Sequence, residues 1–210
     1  MVNFMHWAIV VDNVDPDGLN RVKVSWMGET ETVSDWIPVA APYAGDSIGQ
    51  SFIPNLGDQV LAISFDHHNV QKVIAGSFWS NAANPPQTKE NPCADLNSDG
   101  KNSLRFLKSK SGNMLVFDDS EGKEKIQVIT ADGVSRIEID VSEKLLSLNT
   151  EHNVSVDAAG IVSIQAEEVE ITGKNEVNIS TDNYQVEAES GYKNNASNGI
   201  SIEGSGISLN

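Results

Sequence analysis

Pairs of apolar β-formers recur every seven or eight residues through the last third of this chain, and nothing else in it constrains the fold as tightly. The pairs are Leu146/Leu148, Val154/Val156, Val162/Ile164, Val169/Ile171, Val177/Ile179, Tyr184/Val186, Ile200/Ile202 and Ile207/Leu209. With the weaker Tyr192/Asn194 rung included, the steps from 146 are 8, 8, 7, 8, 7, 8, 8 and 7. Each pair at i and i+2 is the inward face of one short strand. Asn153, Ser155, Asp157, Asn178 and Ser180 alternate with the pairs, and Gly160, Gly173, Gly191, Gly199, Gly204 and Gly206 fall between rungs, where corners form. Such a repeat predicts stacked strands in a solenoid or fibre.

A single chain has difficulty giving these rungs a core. A monomeric β-helix uses roughly twenty residues per turn, enough for three strands around an interior. A unit of seven or eight supplies one side of such a prism, so three chains wound together would supply all three. The repeat therefore predicts a homotrimer with residues 146–210 as an intertwined triple-stranded β-helix. Its core is predicted to be Leu146, Leu148, Val154, Val156, Val162, Ile164, Val169, Ile171, Val177, Ile179, Tyr184, Val186, Ile200 and Ile202. An antiparallel meander, the ordinary alternative, does not require eight steps of nearly constant length.

Charge narrows the function. The formal net charge is −16 over 210 residues. Residues 151–210 hold ten acidic side chains against Lys174 and Lys193. At corners and outward positions these keep a strand-rich surface from pairing edge to edge with other particles. The acidity argues against a nucleic-acid footprint, which needs basic residues. No run of eighteen apolar residues predicts a membrane span, and Met1–His6 carries no secretory signal pattern, so synthesis in the cytoplasm is expected. The single cysteine, Cys93, has no partner for an intrachain disulfide.

The N-terminal half has longer strands of varied spacing. Trp7–Val11, Arg21–Trp26, Val33–Val39, Gln59–Phe65 and Lys72–Phe78 read as five strands, with a turn at Asp15-Pro16-Asp17-Gly18 and a long Gly- and Pro-containing connection over 40–58. Five strands in residues 1–80 without a helix predict a small Greek-key barrel of the OB type, although an SH3-like barrel has the same pattern. Trp26, Trp36 and Trp79 bring large apolar areas to it, or pack between barrels. Residues 81–103, with Pro85, Pro86 and Pro92, read as a linker or an arm onto a neighbouring subunit. Strands resume at Leu104–Leu107, Met114–Phe117, Ile126–Ile129 and Ile137–Val141. Residues 104–145 are accordingly a collar that narrows into the needle.

Several stretches resemble one family. They are Asp12-Asn13-Val14-Asp15-Pro16-Asp17-Gly18-Leu19-Asn20-Arg21-Val22-Lys23-Val24, Trp36-Ile37-Pro38-Val39-Ala40-Ala41-Pro42-Tyr43-Ala44-Gly45 and Phe52-Ile53-Pro54-Asn55-Leu56-Gly57-Asp58-Gln59-Val60-Leu61. Val73–Phe78 with Asn81–Pro86, and Lys110–Gly122, follow in the same order. Together they resemble the baseplate spikes of contractile tails, the phage baseplate assembly protein V family and the related VgrG spikes of type VI secretion. The resemblance implies an all-β chain: an N-terminal OB-fold barrel followed by a C-terminal intertwined trimeric β-helix. It implies a non-enzymatic, membrane-piercing central spike in a virion baseplate or related injection particle. Sheath force would drive that spike through an outer membrane.

The resemblance also implies partners. A separate trimeric hub protein is expected at the OB end, since residues 1–80 leave no room for the hub domain of longer VgrG proteins. Some short spikes of the family end in a His-x-His iron site, but no histidine follows His152 here. A separate PAAR-type tip protein is therefore expected to dock near Ile207 and Leu209. No cofactor is expected. Relatives with a lysozyme domain between barrel and shaft need more chain than 81–103 supplies.

Catalytic readings find little. His6, His67, His68 and His152 are scattered, and His67-His68 reads as a solvated loop rather than a metal site. No nucleophile elbow, Walker loop or dinucleotide fingerprint occurs. Asp118-Asp119 and Glu167-Glu168 are carboxylate pairs, yet adjacent strand residues face opposite ways and do not converge on one glycosidic bond. Two other readings remain, a carbohydrate-cleaving β-helix tail protein and a glycan- or oligonucleotide-binding OB module on a trimerising stalk.

Overall fold

The alternation of Ala8, Val10, Val22, Val24, Val60 and Ala62 along their strands places one side chain in two on a common interior, and that interior organises the first half of the chain. The computed structural model describes residues 5–28, 32–65, 71–88 and 98–205. Every regular element among them is a strand. The chain divides into two units, Met1–Ser155 and Val156–Asn210.

The first sheet is built from β1 (Met5–Asp12), β2 (Arg21–Trp26), β3 (Ile37–Pro38), then β6 (Gln59–Ser64) and β7 (Lys72–Ser77), in the order β3-β2-β1-β6-β7. Between them, β4 (Ala44–Gly45) and β5 (Ile48–Gly49) form a small hairpin inside the long connection over 40–58. Val39 bridges Ile74 in parallel, and the Ala40 N–H donates to the Ile74 carbonyl at 2.8 Å. The two ends of the sheet therefore meet in a near-closed barrel with OB strand order, and the SH3-like alternative falls away. The third strand is shorter than the predicted 33–39, with Val33 joined only by an isolated bridge to Ser25.

The barrel core is aliphatic. Ala8, Val22, Val24, Val60, Ala62 and Ile74 are fully buried, with Val10 and Ile37 nearly so. The tryptophans lie around this core. Trp26 packs at its edge, with the Lys72 ammonium 5.7 Å from its ring, and Lys23 lies 5.0 Å over Trp36. Trp7 and Phe78 form an outward pair, and Trp79 is exposed.

The turn between β1 and β2 is held by Asp15, which the motif contained but whose role the sequence did not reveal. Gly18, at φ +67°, donates its N–H to the Asp15 carbonyl at 3.1 Å. The Asp15 carboxylate accepts backbone N–H groups from Asp17, Leu19 and Arg21 and two bonds from the Arg21 guanidinium, at 2.8 and 2.6 Å. The guanidinium and these N–H donors hold the carboxyl well below the usual carboxylate range and raise Arg21 above its own. Asp15→Ala is expected to lower the melting temperature of the barrel far more than Asp17→Ala. Asp17 has an exposed side chain and one arginine contact, so calorimetry on the two variants gives the comparison.

The second sheet is a meander of β8 (Leu104–Lys108), β9 (Met114–Asp118), β10 (Lys125–Ile129), β11 (Arg136–Asp140) and β12 (Leu145–Asn149), all antiparallel and in sequence order. It runs to Asn149, four residues beyond the 145 at which the collar was expected to end, so Leu146 and Leu148 lie on its last strand.

Candidate assembly surface

One face of the meander mixes charged and apolar side chains, and Val116, Ile129 and Asp140 on it are buried. Lys125 reaches Asp140 at 3.1 Å and Glu138 at 3.8 Å, Arg136 lies 3.4 Å from Glu138, and Gln127 donates to Glu138. Thr88 from the 81–103 connection is buried beside Met114, Val116 and Ile129, and the Lys108 ammonium holds the Gln87 carbonyl at 2.7 Å. This part of the connection packs on its own chain's sheet.

Asp140 shows the electrostatics of that face. Its carboxylate accepts the Glu143 N–H and the Ser142 hydroxyl, with Lys125 beside it, and these hold its pKa at about 2 against an ordinary 3.8. A depressed carboxyl stabilises the fold fully above its unfolded pKa and loses that contribution as pH falls through the folded value. The stability gap between wild type and Asp140→Asn should therefore be constant above about pH 4 and close between there and about 2. Thermal melts at stepped pH read it directly.

The opposite face is apolar and uncovered. Cross-strand register aligns Leu107, Leu115, Val128, Ile137 and Leu148 in one row. Arg105, Phe117, Ile126, Ile139 and Leu146 form the next, with Arg105 at the edge paired to Asp119. Apart from half-buried Leu115, the apolar members are exposed. Beyond β12, Val154 lines the same groove as Val128, Ile137 and Leu148. A contiguous apolar sheet face of this kind marks an interaction surface. Leu107, Leu115, Phe117, Ile126, Val128, Ile137 and Ile139 lie outside the core that the seven- and eight-residue repeat predicts. The signal was present: Ile126/Val128 and Ile137/Ile139 have the same i, i+2 pairing as the rungs, at wider spacing.

In the second unit the repeat becomes geometry. Bends fall at 151–152, 159–160, 167, 174–175, 182, 189–190, 197–198 and 205, each between two apolar pairs. At Gly173 a Cβ would stand 2.5 Å from the Glu176 carbonyl oxygen, so this corner closes too tightly for any side chain. Between bends the chain is extended, and contacts two residues apart reveal its faces. Thr172 donates to Glu170, Gln185 to Glu187 and Ser201 to Glu203. These polar pairs share one side, which leaves Val169/Ile171, Tyr184/Val186 and Ile200/Ile202 on the other.

Val154, Val156, Val162, Ile164, Val169, Ile171, Val177, Ile179, Tyr184, Val186, Ile200 and Ile202 are all exposed on the single chain. None of residues 151–205 belongs to a strand ladder or bridge. Ile207, Leu209, Cys93 and the His67-His68 pair lie outside the described residues.

Members of both carboxylate pairs sit in a local turn, an ion pair and a bend. Asp118 accepts the Ser120 N–H at 2.9 Å in a turn while Asp119 pairs with Arg105, and Glu167 marks a bend. Among the described residues there is no group of three or more His, Cys, Asp or Glu side chains placed to hold a metal ion, and no helix long and apolar enough to cross a membrane.

A near-closed OB barrel followed by exposed apolar faces defines the class as an all-β protein with an N-terminal OB domain. Residues 6–79, about a third of the chain, match the family of type VI secretion system/phage-baseplate injector OB domains. The barrel is thus similar to the OB domains of that family, and the match supports a baseplate-associated structural role. No curated protein matches the chain.

Proposed function

We propose that this chain is the central spike at the tip of a contractile tail, in a phage baseplate or a related injection particle. It would transmit sheath force to puncture an outer membrane. The observation that carries the reading is an injector-family OB barrel on the same chain as a repeat of exposed apolar pairs cut by regular bends. Three copies supply what one copy lacks. Their strands pair around a common axis, the Val, Ile and Leu pairs form its core, and closure removes the lateral edges. Each aliphatic side chain so buried contributes roughly 1.5–3 kcal/mol.

Such a rod does its work by stiffness, without turnover. A trimeric hub protein would bind the OB end. A PAAR-type tip would close the other end near Ile207 and Leu209. Light scattering with negative-stain imaging of the purified chain tests the reading. The expected result is three times 22.7 kDa, seen as a thin rod with a three-part head. A monomer would overturn it.

A further inference from the structure

We propose that the barrel carries a saccharide site, a cleft between β3 and β7 that takes a short neutral oligosaccharide of β-linked hexoses. The cleft lies within one chain, so the inference stands apart from the trimeric reading.

The cleft follows from how the barrel closes. Val39 and Ile74 bridge in parallel, so the segment before Val39 runs alongside the segment before Ile74. Among the described residues no ladder joins β3 to β7, and Pro38 has no N–H with which to extend the pairing. The gap is a cavity of about 670 Å³, inside the size range of small-ligand sites.

Its walls are anchored. Ile37 is buried among the aliphatic side chains of the barrel. The Phe65 N–H donates to the Gln71 carbonyl at 2.9 Å, which ties the two ends of the β6–β7 hairpin. The Lys23 ammonium lies 5.0 Å from the centre of the Trp36 ring, and Lys23 is not a wall of the cavity. That contact props the ring without filling the cleft.

The chemistry of the walls selects the ligand. Trp36 and Phe65 are aromatic platforms, and Pro38 and Val73 add apolar surface. Asp35, Gln71 and Lys72 supply the polar groups. Phe65 is 68% exposed, a large ring held outside the barrel core. A pyranose with equatorial hydroxyls has the matching construction. Its C–H faces are apolar and pack on aromatic rings, and its rim of hydroxyls both donates and accepts. A carboxylate accepts from such hydroxyls, an ammonium donates to them, and a primary amide does both. β-Linkage keeps successive ring faces flat along the cleft. Nucleic acid also stacks on aromatic rings, but its phosphates would meet Asp35 and a chain of charge −16. A purely apolar ligand would strip water from the Asp35 carboxylate and offer it no donor.

The test titrates the full chain with cellotriose and with chitotriose, read by tryptophan fluorescence and by saturation-transfer nuclear magnetic resonance. At least one of the two should bind saturably, with transfer strongest at the ring C–H protons. Trp36→Ala should abolish that binding. Phe65→Ala, at an exposed rim position, should keep the melting temperature and weaken binding about tenfold, the scale of a lost stacking platform. Asp35→Ala should weaken it roughly threefold to tenfold. Trp79→Ala, exposed and outside the cleft, should leave the affinity unchanged. Saturable binding of neither sugar overturns the site, as does full affinity in a folded Phe65→Ala protein. Binding of a thymidine hexanucleotide in place of both sugars overturns the choice of ligand. A trimer that binds no sugar retires the cleft and leaves the spike reading standing, and a sugar-binding monomer does the reverse.

Discussion

Ile171→Asp should leave the chain unable to trimerise, whereas Thr172→Asp, one residue away, should leave the trimer intact. Ile171 is 74% exposed on the single chain and belongs to the apolar side of its rung, while Thr172 shares the outer side with Glu170. Three chains wound about an axis would bring three copies of residue 171 into one layer. Each unpaired carboxylate held there costs several kcal/mol after relaxation, and the three repel one another. The lost isoleucine contacts add roughly 2–5 kcal/mol per chain. At residue 172 the same carboxylate remains in water and joins an already acidic surface. Light scattering should therefore fall to the 22.7 kDa of one chain for Ile171→Asp and stay threefold for Thr172→Asp. Equal behaviour of the two variants would contradict the assignment of faces.

Ile74→Ala should melt the barrel without dissolving the trimer. Ile74 is fully buried, packs against Val22, Val60 and Ile37, and supplies the carbonyl that Ala40 binds where the sheet closes on itself. Truncation costs about 2–5 kcal/mol, which for a domain of this size lowers its melting temperature by roughly 10–30 °C. Val14→Ala, at an exposed position, should move it by no more than a few degrees, in line with the roughly 0.5 kcal/mol of ordinary surface changes. Calorimetry resolves the barrel transition, and mass measured below it should remain that of three chains, because the buried cluster that Ile74 belongs to is drawn from the barrel strands.

Local pattern was enough to place most strands. Arg21–Trp26 falls where the sequence puts it, and Gln59–Ser64, Lys72–Ser77 and the meander strands begin or end within a residue or two of expectation. Their side chains alternate strictly, and turn residues bound them, so nearest neighbours settle the outcome. The 33–39 segment is the instructive difference. Its apolar residues predicted a full strand, but only Ile37–Pro38 finds a ladder, with Pro38 unable to donate an N–H. The tiny hairpin at Ala44–Gly45 and Ile48–Gly49 carried too little alternation to be seen. Asp15 was visible as a turn residue, yet its five bonds depend on where the fold brings Arg21.

The repeat in the last third was settled by sequence alone. Its spacing and its polar corners follow from one-dimensional periodicity, and bends fall between its rungs. The same holds for the acidic surface, since charge is a matter of composition. Tertiary structure alone decided which end of the first sheet meets the other, because closure through Val39 and Ile74 joins residues far apart in the chain. It also decided that Val116 and Ile129 on the charged face of the meander are buried, with Thr88 beside them, while the apolar face stays exposed. Periodicity reports that a strand has two faces; only the packing of distant segments determines which of them water still reaches.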